Sequence, residues 1–311
     1  MICTYDSHAG YPEPMNGLVF HIVSGDAFFS GGCLVVAGLA GPLSSTPVVR
    51  RGSLLAVVIG LVLVAASSTP LPYWCYGLLA STMLLWLVAL RVPRWQKKAV
   101  GAAAVAWLAA MAVEVPYHVA PKLKPVSARA MTVVGDSVTA GIGSDQDFPT
   151  WPEILRREEN VHIQDLSRMG ETTASALKRL REHPVEHPLV VVEIGGNDLL
   201  GSTGTAKFAR DLDALLQAVC AADRQVIMFE LPLPPLHHEW GRIQRDAARK
   251  YDVKLLPRRE FLSVLAGGGA TLDSIHLSEA GQQAMSRRGW EVVGPVMVER
   301  SVTGGRTSEF R

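Results

Sequence analysis

The feature that most constrains this 311-residue chain is a stretch without any charged side chain, from residue 52 to residue 90. One membrane-crossing helix needs about 20 apolar residues, so a stretch of this length predicts two helices joined by a tight turn. The turn is visible at residues 67–72, Ser-Ser-Thr-Pro-Leu-Pro, and Tyr73, Trp74 and Tyr76 follow it. Tyrosine and tryptophan favour the boundary between membrane and water, which supports this interpretation.

Two further apolar segments flank this pair, one at about residues 18–43 and one at residues 99–120. The first is rich in glycine, and the second is interrupted by Glu114 and His118 near its end. Because Glu114 lies close to the expected membrane surface, we expect water to solvate it. Residues 1–120 are therefore predicted to form a membrane anchor of about four transmembrane helices. A soluble protein with unusually apolar helices is the alternative, and uncharged runs of this length disfavour it.

The orientation of the anchor follows from its basic residues, which stay on the cytoplasmic side of a membrane. Within the anchor they form two clusters, at residues 50–51 and 91–98, whereas the turn at Pro70 has none. Lys122 and Lys124 oppose this pattern with two charges against six. The sequence predicts a multi-pass protein of the cytoplasmic membrane whose C-terminal half lies on the extracytoplasmic, periplasmic side.

The C-terminal half has an ordinary composition. Residues 121–311 contain 24 Lys or Arg and 25 Asp or Glu, so charge gives no reason to expect a nucleic-acid partner. The four cysteines of the chain include no CxxC pair and no zinc-binding spacing, and His237 and His238 are interpreted as solvated loop residues. We therefore expect neither a metal nor a cofactor.

Strand-like and helix-like segments alternate through residues 129–299, with residues 121–128 as a linker and residues 300–311 as a frayed tail. The predicted strands cover residues 130–134, 161–166, 189–194, 225–231 and 253–256. Helices are predicted at about 152–158, 174–181, 206–221 and 240–250, with Ser278 as the N-cap of a last one. This alternation, with nearly continuous apolar strands, is typical of a three-layer α/β domain with a parallel sheet.

Polar motifs follow the first three strands. Ser137 lies in a Gly-Asp-Ser sequence after the first strand, Gly170 follows the second strand, and Asn197 follows the third. Ligands of an open parallel sheet bind at the carboxyl ends of the strands, so we expect the three residues in one crevice. An Asp-x-x-His motif, Asp273 and His276, comes near the end of the domain.

These five residues suit acyl transfer. A serine hydroxyl is a weak nucleophile unless a base takes its proton, and His276 is the candidate base. Asp273 is placed to orient the imidazole and to stabilise its charged form. The oxyanion of the reaction needs donors, for which we expect the Asn197 amide and the backbone N–H groups of Gly170 and Ser137.

In this order the motifs resemble the SGNH hydrolase family, also called the GDSL family, whose name gives its Ser, Gly, Asn and His. The resemblance covers roughly residues 129–295, looks most like the bacterial thioesterase I/lysophospholipase type, and extends to Trp151-Pro152 and Glu193-Ile194. It implies a flavodoxin-like sheet and broad activity on esters and thioesters. Val138-Thr139 replaces the usual Leu-Ser pair, and Asp165 stands where the family has Asn, but neither departure removes a catalytic atom.

The substrate is expected to be an ester of a small molecule, a lipid or a glycan. The apolar loop that contains Leu233 and Pro234, together with Trp240, is a candidate wall for the acyl chain. Hydrolysis is the favoured reaction, and the alternative is an O-acyltransferase or deacylase that acts on an envelope glycan or lipid with the same residues. A membrane scaffold with an inactive domain is disfavoured because Ser137, Asn197 and His276 are intact.

Overall fold

A bundle of apolar helices forms the N-terminal part of the computed structural model, which describes residues 15–143, 146–273 and 275–297. The predicted tail at 300–311 lies outside the described residues. The helices are α1 Gly17–Val23, α2 Asp26–Leu39, α3 Pro47–Ala66, α4 Tyr73–Ala89 and α5 Pro93–Glu114. Short 3-10 turns follow α2 and α5.

Three described segments are long and apolar enough to cross a membrane: Asp26–Leu43, Pro47–Ala66 and Pro93–His118. The last is the longest, with 26 residues, because the helix begins several residues before the apolar segment that the sequence indicated. Helix α4 has 17 residues, which extend about 25 Å at 1.5 Å per residue. About four transmembrane helices were expected. Three of the described segments are long enough to cross a membrane, and α4 is shorter.

The first apolar segment is not one helix, because it bends between α1 and α2. Gly25 separates them with φ +90°, a left-handed conformation that favours glycine. A Cβ atom at this position would lie 2.2 Å from the Nη2 atom of Arg258. The Nε–H of Arg258 donates a hydrogen bond of 3.1 Å to the carbonyl oxygen of Ser24, so the bend carries a contact with the C-terminal half.

The bundle buries one set of apolar side chains and exposes another. Phe28, Leu39, Trp86 and Trp107 pack in its interior. Large apolar side chains are exposed along α3, α4 and α5, among them Leu55, Val58, Val62, Leu84, Leu87, Val105 and Leu108. Large exposed apolar patches are rare on monomeric proteins in water.

The C-terminal half is built on a five-stranded sheet. Its strands are β1 Ala130–Gly135, β2 His162–Asp165, β3 Leu189–Glu193, β4 Gln225–Phe229 and β5 Lys254–Leu256. They are all parallel, in the order β2-β1-β3-β4-β5. This is the flavodoxin-like order, so the predicted α/β fold with a parallel sheet is confirmed.

Helices cover both faces of the sheet. They are α6 Ser137–Ala140, α7 Trp151–Glu158, α8 Thr173–Glu182, α9 Gly196–Leu200, α10 Thr205–Val219, α11 His238–Lys250, α12 Arg258–Leu265 and α13 Glu279–Val293. Val190 and Val192 of β3 point towards α8, α10 and α11, whereas Val191 points towards α7, α12 and α13. Strand β3 is consequently buried on both faces, as its apolar sequence predicts.

The segment before β1 already contacts this domain. The backbone N–H of Val126 donates to the carbonyl oxygen of Val296 at 2.7 Å, and that of Lys124 donates to Oε1 of Gln225 at 2.7 Å. Part of the predicted linker at 121–128 is therefore held against the sheet domain. The proposed domain boundaries stay predictions.

The bundle and the sheet domain meet at one end of the bundle, where α3 turns into α4 and where α5 ends. Ser68 lies in that turn, and its hydroxyl donates to the carbonyl oxygen of Pro234 and accepts from the backbone N–H of His237 at 3.1 Å. Glu114, at the end of α5, is fully buried and forms an ion pair with Arg245 of α11. The prediction that water solvates Glu114 is wrong, because its partner comes from a distant part of the chain.

Candidate active site

The loop after β1 presents Ser137 as the first residue of the short helix α6. Asp136 is the N-cap of this helix, and its Oδ1 atom accepts a hydrogen bond of 3.0 Å from the backbone N–H of Val138. This bond supports the predicted bracing role of Asp136 in the turn. Ser137 is 6% exposed, so its hydroxyl lies within the surface of the domain.

Gly170 lies in the loop after β2, exposed and with φ +74°. No atom lies within 4 Å of the point where a Cβ would be, so the backbone conformation rather than crowding requires glycine. Asp165, which departs from the family pattern, shapes the start of this loop. Its Oδ1 atom accepts a hydrogen bond of 2.9 Å from the backbone N–H of Ser167.

Asn197 in α9 connects the loops that follow the first three strands. Its Nδ2 atom donates to the carbonyl oxygen of Glu171 at 3.0 Å and lies 3.4 Å from Oδ2 of Asp136. The second contact is long for a hydrogen bond and therefore weak, and the role of Asn197 as an oxyanion donor stays a prediction. Asp198 accepts from the backbone N–H and hydroxyl of Thr173, at 2.8 and 3.1 Å, which fits its predicted bracing role.

Asp273 and His276 form a hydrogen-bonded pair. Oδ2 of Asp273 lies 2.7 Å from Nδ1 of His276, and Oδ1 accepts from the backbone N–H groups of His276 at 2.9 Å and Ile275 at 2.8 Å. Burial alone would raise the pKa of Asp273, but the hydrogen bonds from His276 and Ile275 outweigh it and hold this pKa at about 2. An ionised carboxylate only accepts, so Nδ1 carries the proton and Nε2 is left as a base.

Gln282 ties the histidine loop to the serine loop. It lies in α13, the helix that follows His276, and its side chain is fully buried. Its Oε1 atom accepts from the backbone N–H of Trp151 at 2.8 Å, and its Nε2 atom donates to the carbonyl oxygen of Val138 at 3.4 Å. Gln282, which sequence reasoning missed, therefore links the helix that follows His276 to the residue that follows Ser137.

The carboxyl groups of Asp136 and Glu193 form a buried pair next to the loop that holds Ser137. Glu193, at the end of β3, has its pKa raised well above the usual value by burial and by the charge of Asp136. Burial also raises the pKa of Asp136, although the hydrogen bond from the backbone N–H of Val138 opposes this effect. Oε2 of Glu193 accepts a hydrogen bond of 3.0 Å from the hydroxyl of Thr139. Thr139 replaces the serine of the usual Leu-Ser pair and still provides a hydroxyl group.

Sequence reasoning noted Glu193 only as part of the resemblance and gave it no role. The available signal was an acidic residue at the end of an apolar strand, two positions before the Gly-Gly-Asn motif. A buried charge needs a partner or a proton, so such a residue points to a specific hydrogen-bonded role.

The residues predicted to line an acyl pocket lie in or near the core. Leu233 is fully buried, and Trp240 is 6% exposed and stacks against Phe208 with 4.6 Å between ring centroids. Pro234 is partly exposed. Leu236, on the same loop, exposes most of its side chain and presents more apolar surface. The role of Leu233, Pro234 and Trp240 as a pocket wall stays a prediction.

The C-terminal half of the chain matches a known protein family. Residues 133–284 match the GDSL-like Lipase/Acylhydrolase family, and this range contains Ser137, Gly170, Asn197, Asp273 and His276. The C-terminal half of the chain is therefore a GDSL-like lipase/acylhydrolase domain, and the protein is a carboxylic ester hydrolase. The match lies outside the N-terminal helices.

The chain is also similar to individual proteins of this type. Esterase TesA of Pseudomonas aeruginosa is 28% identical over 185 residues, which cover 55% of this chain and 90% of that protein. Thioesterase 1/protease 1/lysophospholipase L1 of Escherichia coli is 28% identical over 146 residues, 43% of this chain and 68% of that protein. The crystal structure of TesA is 26% identical, covers 54% of this chain and 99% of its own, and gives a TM-score of 0.46.

Proposed function

We propose that the protein is a membrane-anchored serine esterase or thioesterase that cleaves carboxylic esters through an acyl-enzyme on Ser137. The observation that carries this proposal is the 2.7 Å bond from Nδ1 of His276 to Asp273. It leaves Nε2 of His276 as the base for a serine that lies in the loop after β1. The similarity to an esterase and to a thioesterase/lysophospholipase supports the same chemistry.

In the proposed reaction, Oγ of Ser137 attacks the carbonyl carbon and its proton moves to Nε2 of His276. The amide of Asn197 and the backbone N–H groups of Gly170 and Ser137 stabilise the negative oxygen of the tetrahedral intermediate. The imidazolium of His276 then donates its proton to the leaving alcohol or thiol, which departs. Water, deprotonated by the same imidazole, releases the acid and restores the serine.

Transfer of the acyl group to a sugar hydroxyl, or removal of an acyl group from an envelope glycan or lipid, uses the same acyl-enzyme. Only the acceptor or the substrate differs between these reactions. Analysis of the products distinguishes them, because hydrolysis gives free acid in water alone whereas transfer requires the glycan acceptor.

The proposed anchoring rests on the helical bundle. Its exposed apolar side chains suit hydrocarbon better than water, and α4 and α5 run in opposite directions between the sheet domain and the basic cluster at 91–98. Tyr73 at the start of α4 and Glu114 at the end of α5 both contact α11. The domain therefore lies at the end of the bundle opposite the basic residues, which supports an extracytoplasmic location.

Replacement of Ser137 tests the proposed chemistry. The purified full chain should cleave aryl esters of graded chain length and react with a fluorophosphonate probe, and Ser137→Ala should lose both properties while it stays folded. Ser263→Ala changes an exposed serine on α12 and should keep both. Wild-type ester cleavage by Ser137→Ala would overturn the assignment.

A further inference from the structure

A cleft of about 340 Å³ lies between the end of the bundle and helix α11. Its wall from the bundle includes aromatic and proline side chains, and its wall from α11 includes three arginines. Principal lining residues are Pro70, Tyr73, Tyr117, Arg242, Arg245 and Arg249, and the acidic Asp246 also lines it. The cleft is separate from the residues of the candidate active site, none of which lines it.

Two of the three arginines already have acidic partners. Arg245 is held between Glu114 and Glu230, with shortest nitrogen–oxygen distances of 2.6 and 2.7 Å. Arg249 pairs with Asp246, and both of these side chains are exposed. Neither arginine therefore needs a ligand to balance its charge.

Arg242 differs from both. Its side chain is about nine-tenths buried, and no carboxylate pairs with it among the residues that the structure describes. Its Nη2 atom donates to the hydroxyl of Tyr73, and its guanidinium lies 3.5 Å from the centroid of the Tyr73 ring. Its Nη1 atom is enclosed by protein and has no hydrogen-bond partner. A buried cation without an anion is costly, so the cleft is suited to an anionic ligand.

The location of the cleft indicates which class of anion it suits. Tyr73 begins α4 and Tyr117 lies just beyond α5, so both tyrosines stand at the end of apolar helices. In a membrane-inserted bundle this is the depth of the lipid headgroups, where tyrosine is favoured. The planar fork of arginine matches the oxygens of a phosphate.

We infer that this cleft binds the phosphodiester of a membrane phospholipid, with Arg242 as its principal contact. The inference rests on the proposed insertion of the bundle and not on the proposed chemistry of Ser137. The site adjoins the loop that holds Leu233, because a Cβ added to Gly241 of α11 would lie 2.8 Å from both Leu233 and Pro70. A bound lipid would therefore stabilise the contact between the bundle and the catalytic domain.

The test measures lipid binding to the purified full chain in mild detergent, by native mass spectrometry and by thermal unfolding. Dioleoylphosphatidylglycerol should bind and raise the unfolding temperature. Arg242→Gln should weaken this binding about tenfold or more, as loss of a hydrogen bond to a charged group requires. Lys250→Gln removes a positive charge from the same helix, away from the cleft, and should bind like the wild type.

Arg242→Lys keeps the charge but loses the planar guanidinium, so it should bind less lipid than the wild type. This variant provides the test if Arg242→Gln does not fold. Dioleoylglycerol, which lacks the phosphate, and inorganic phosphate, which lacks the chains, should each bind far more weakly than the phospholipid. Equal lipid binding by the wild type and both Arg242 variants, or equal binding of inorganic phosphate and phospholipid, would overturn the inference.

Two further measurements separate this result from the other proposals. Ser137→Ala should bind the phospholipid like the wild type, so a failure of the hydrolase assignment leaves the lipid result unchanged. Resistance to extraction from membranes by alkaline carbonate reports the insertion of the bundle directly. If the wild-type protein resists extraction but binds no phospholipid, the proposed lipid site is overturned and the proposed membrane insertion is not.

Discussion

Glu114 at the end of α5 and Arg245 on α11 form a two-point ion pair, with Oε2 to Nη1 at 2.6 Å and Oε1 to Nη2 at 2.7 Å. Nε of Arg245 also donates to Oε1 of Glu230 at 2.7 Å, and all three side chains are buried. The bundle and the catalytic domain are thus joined by charges that would be costly to leave unpaired. This ion pair holds α11 of the catalytic domain against the end of α5.

Removal of Glu114 should destabilise this junction. In Glu114→Ala, Arg245 keeps Glu230 but loses two hydrogen bonds to carboxylate oxygens, and a hydrogen bond to a charged group contributes about 1.5–3 kcal/mol. We expect a lower unfolding midpoint for the full chain in detergent and faster proteolysis between the two parts. Asp213→Ala breaks an exposed pair with Lys250 and is the matched control, with little expected change. Equal midpoints for Glu114→Ala and the wild type would contradict the structural role.

Asn197 should act mainly in the transition state. Asn197→Ala is expected to lower kcat by about 10²–10³, the usual cost of one lost oxyanion donor, with little change in KM. Leu200→Ala, an exposed position on the same short helix, should leave kcat unchanged. The rates are measured with a soluble aryl ester. An effect of Asn197→Ala on KM alone would rule out the oxyanion role.

The buried carboxyl pair predicts a dependence of stability on pH. Burial, followed by the charge of Asp136, raises the pKa of Glu193 well above the usual value of 4.5. A group whose pKa is raised by folding costs stability as pH rises from its unfolded pKa towards its folded one, by about 1.4 kcal/mol per pH unit. The folded protein should therefore lose stability as pH increases above about 4.5.

Glu193→Gln replaces the protonated carboxyl by a neutral amide of similar shape and should flatten this slope. The measurement is the unfolding temperature from pH 5 to pH 9 for the wild type and the variant. Glu182→Gln changes an exposed acid on α8 and should keep the wild-type slope. Parallel curves for the wild type and Glu193→Gln would show that Glu193 is ionised in the folded protein.

The prediction of the sheet, which the structure confirms, and the prediction of the site residues depend on the same kind of local sequence signal. Strand β3 at residues 189–193 and the N-cap at Ser278 follow from local apolar patterns and capping chemistry. Ser137 and Asn197 could be expected in one crevice because parallel strands deliver their ends to one edge. Each of these inferences needs only neighbouring residues and a general rule of topology.

Contacts between distant segments could not be obtained in this way. Glu114 looked like a residue near the membrane surface, and only the fold shows that Arg245, 131 positions later, is its partner. The same holds for Gln282, whose amide joins two loops, and for Arg242 on Tyr73. A single sequence carries no signal for such contacts, because each of these polar side chains is compatible with many partners elsewhere in the chain.

The location of the catalytic domain depends on α5 more than on the number of spans. Helix α5 begins beside the basic residues at 91–98 and ends at Glu114 against the catalytic domain. If α5 crosses the membrane, the domain and the basic cluster lie on opposite sides, whether or not the short helix α4 crosses completely. Because basic residues stay in the cytoplasm, the domain should be extracytoplasmic.

Fusions to the intact chain test this expectation. Alkaline phosphatase joined after Arg311 should be active and β-galactosidase at the same place inactive, since the phosphatase functions only outside the cytoplasm. Fusions after Val92, beside the basic cluster, provide the control and should give the reverse pattern. Replacement of Arg91, Arg94, Lys97 and Lys98 by glutamine should weaken the orientation, because basic side chains favour the cytoplasmic end of a transmembrane helix. Active β-galactosidase after Arg311 in the unaltered chain would place the catalytic domain in the cytoplasm and exclude an extracytoplasmic substrate.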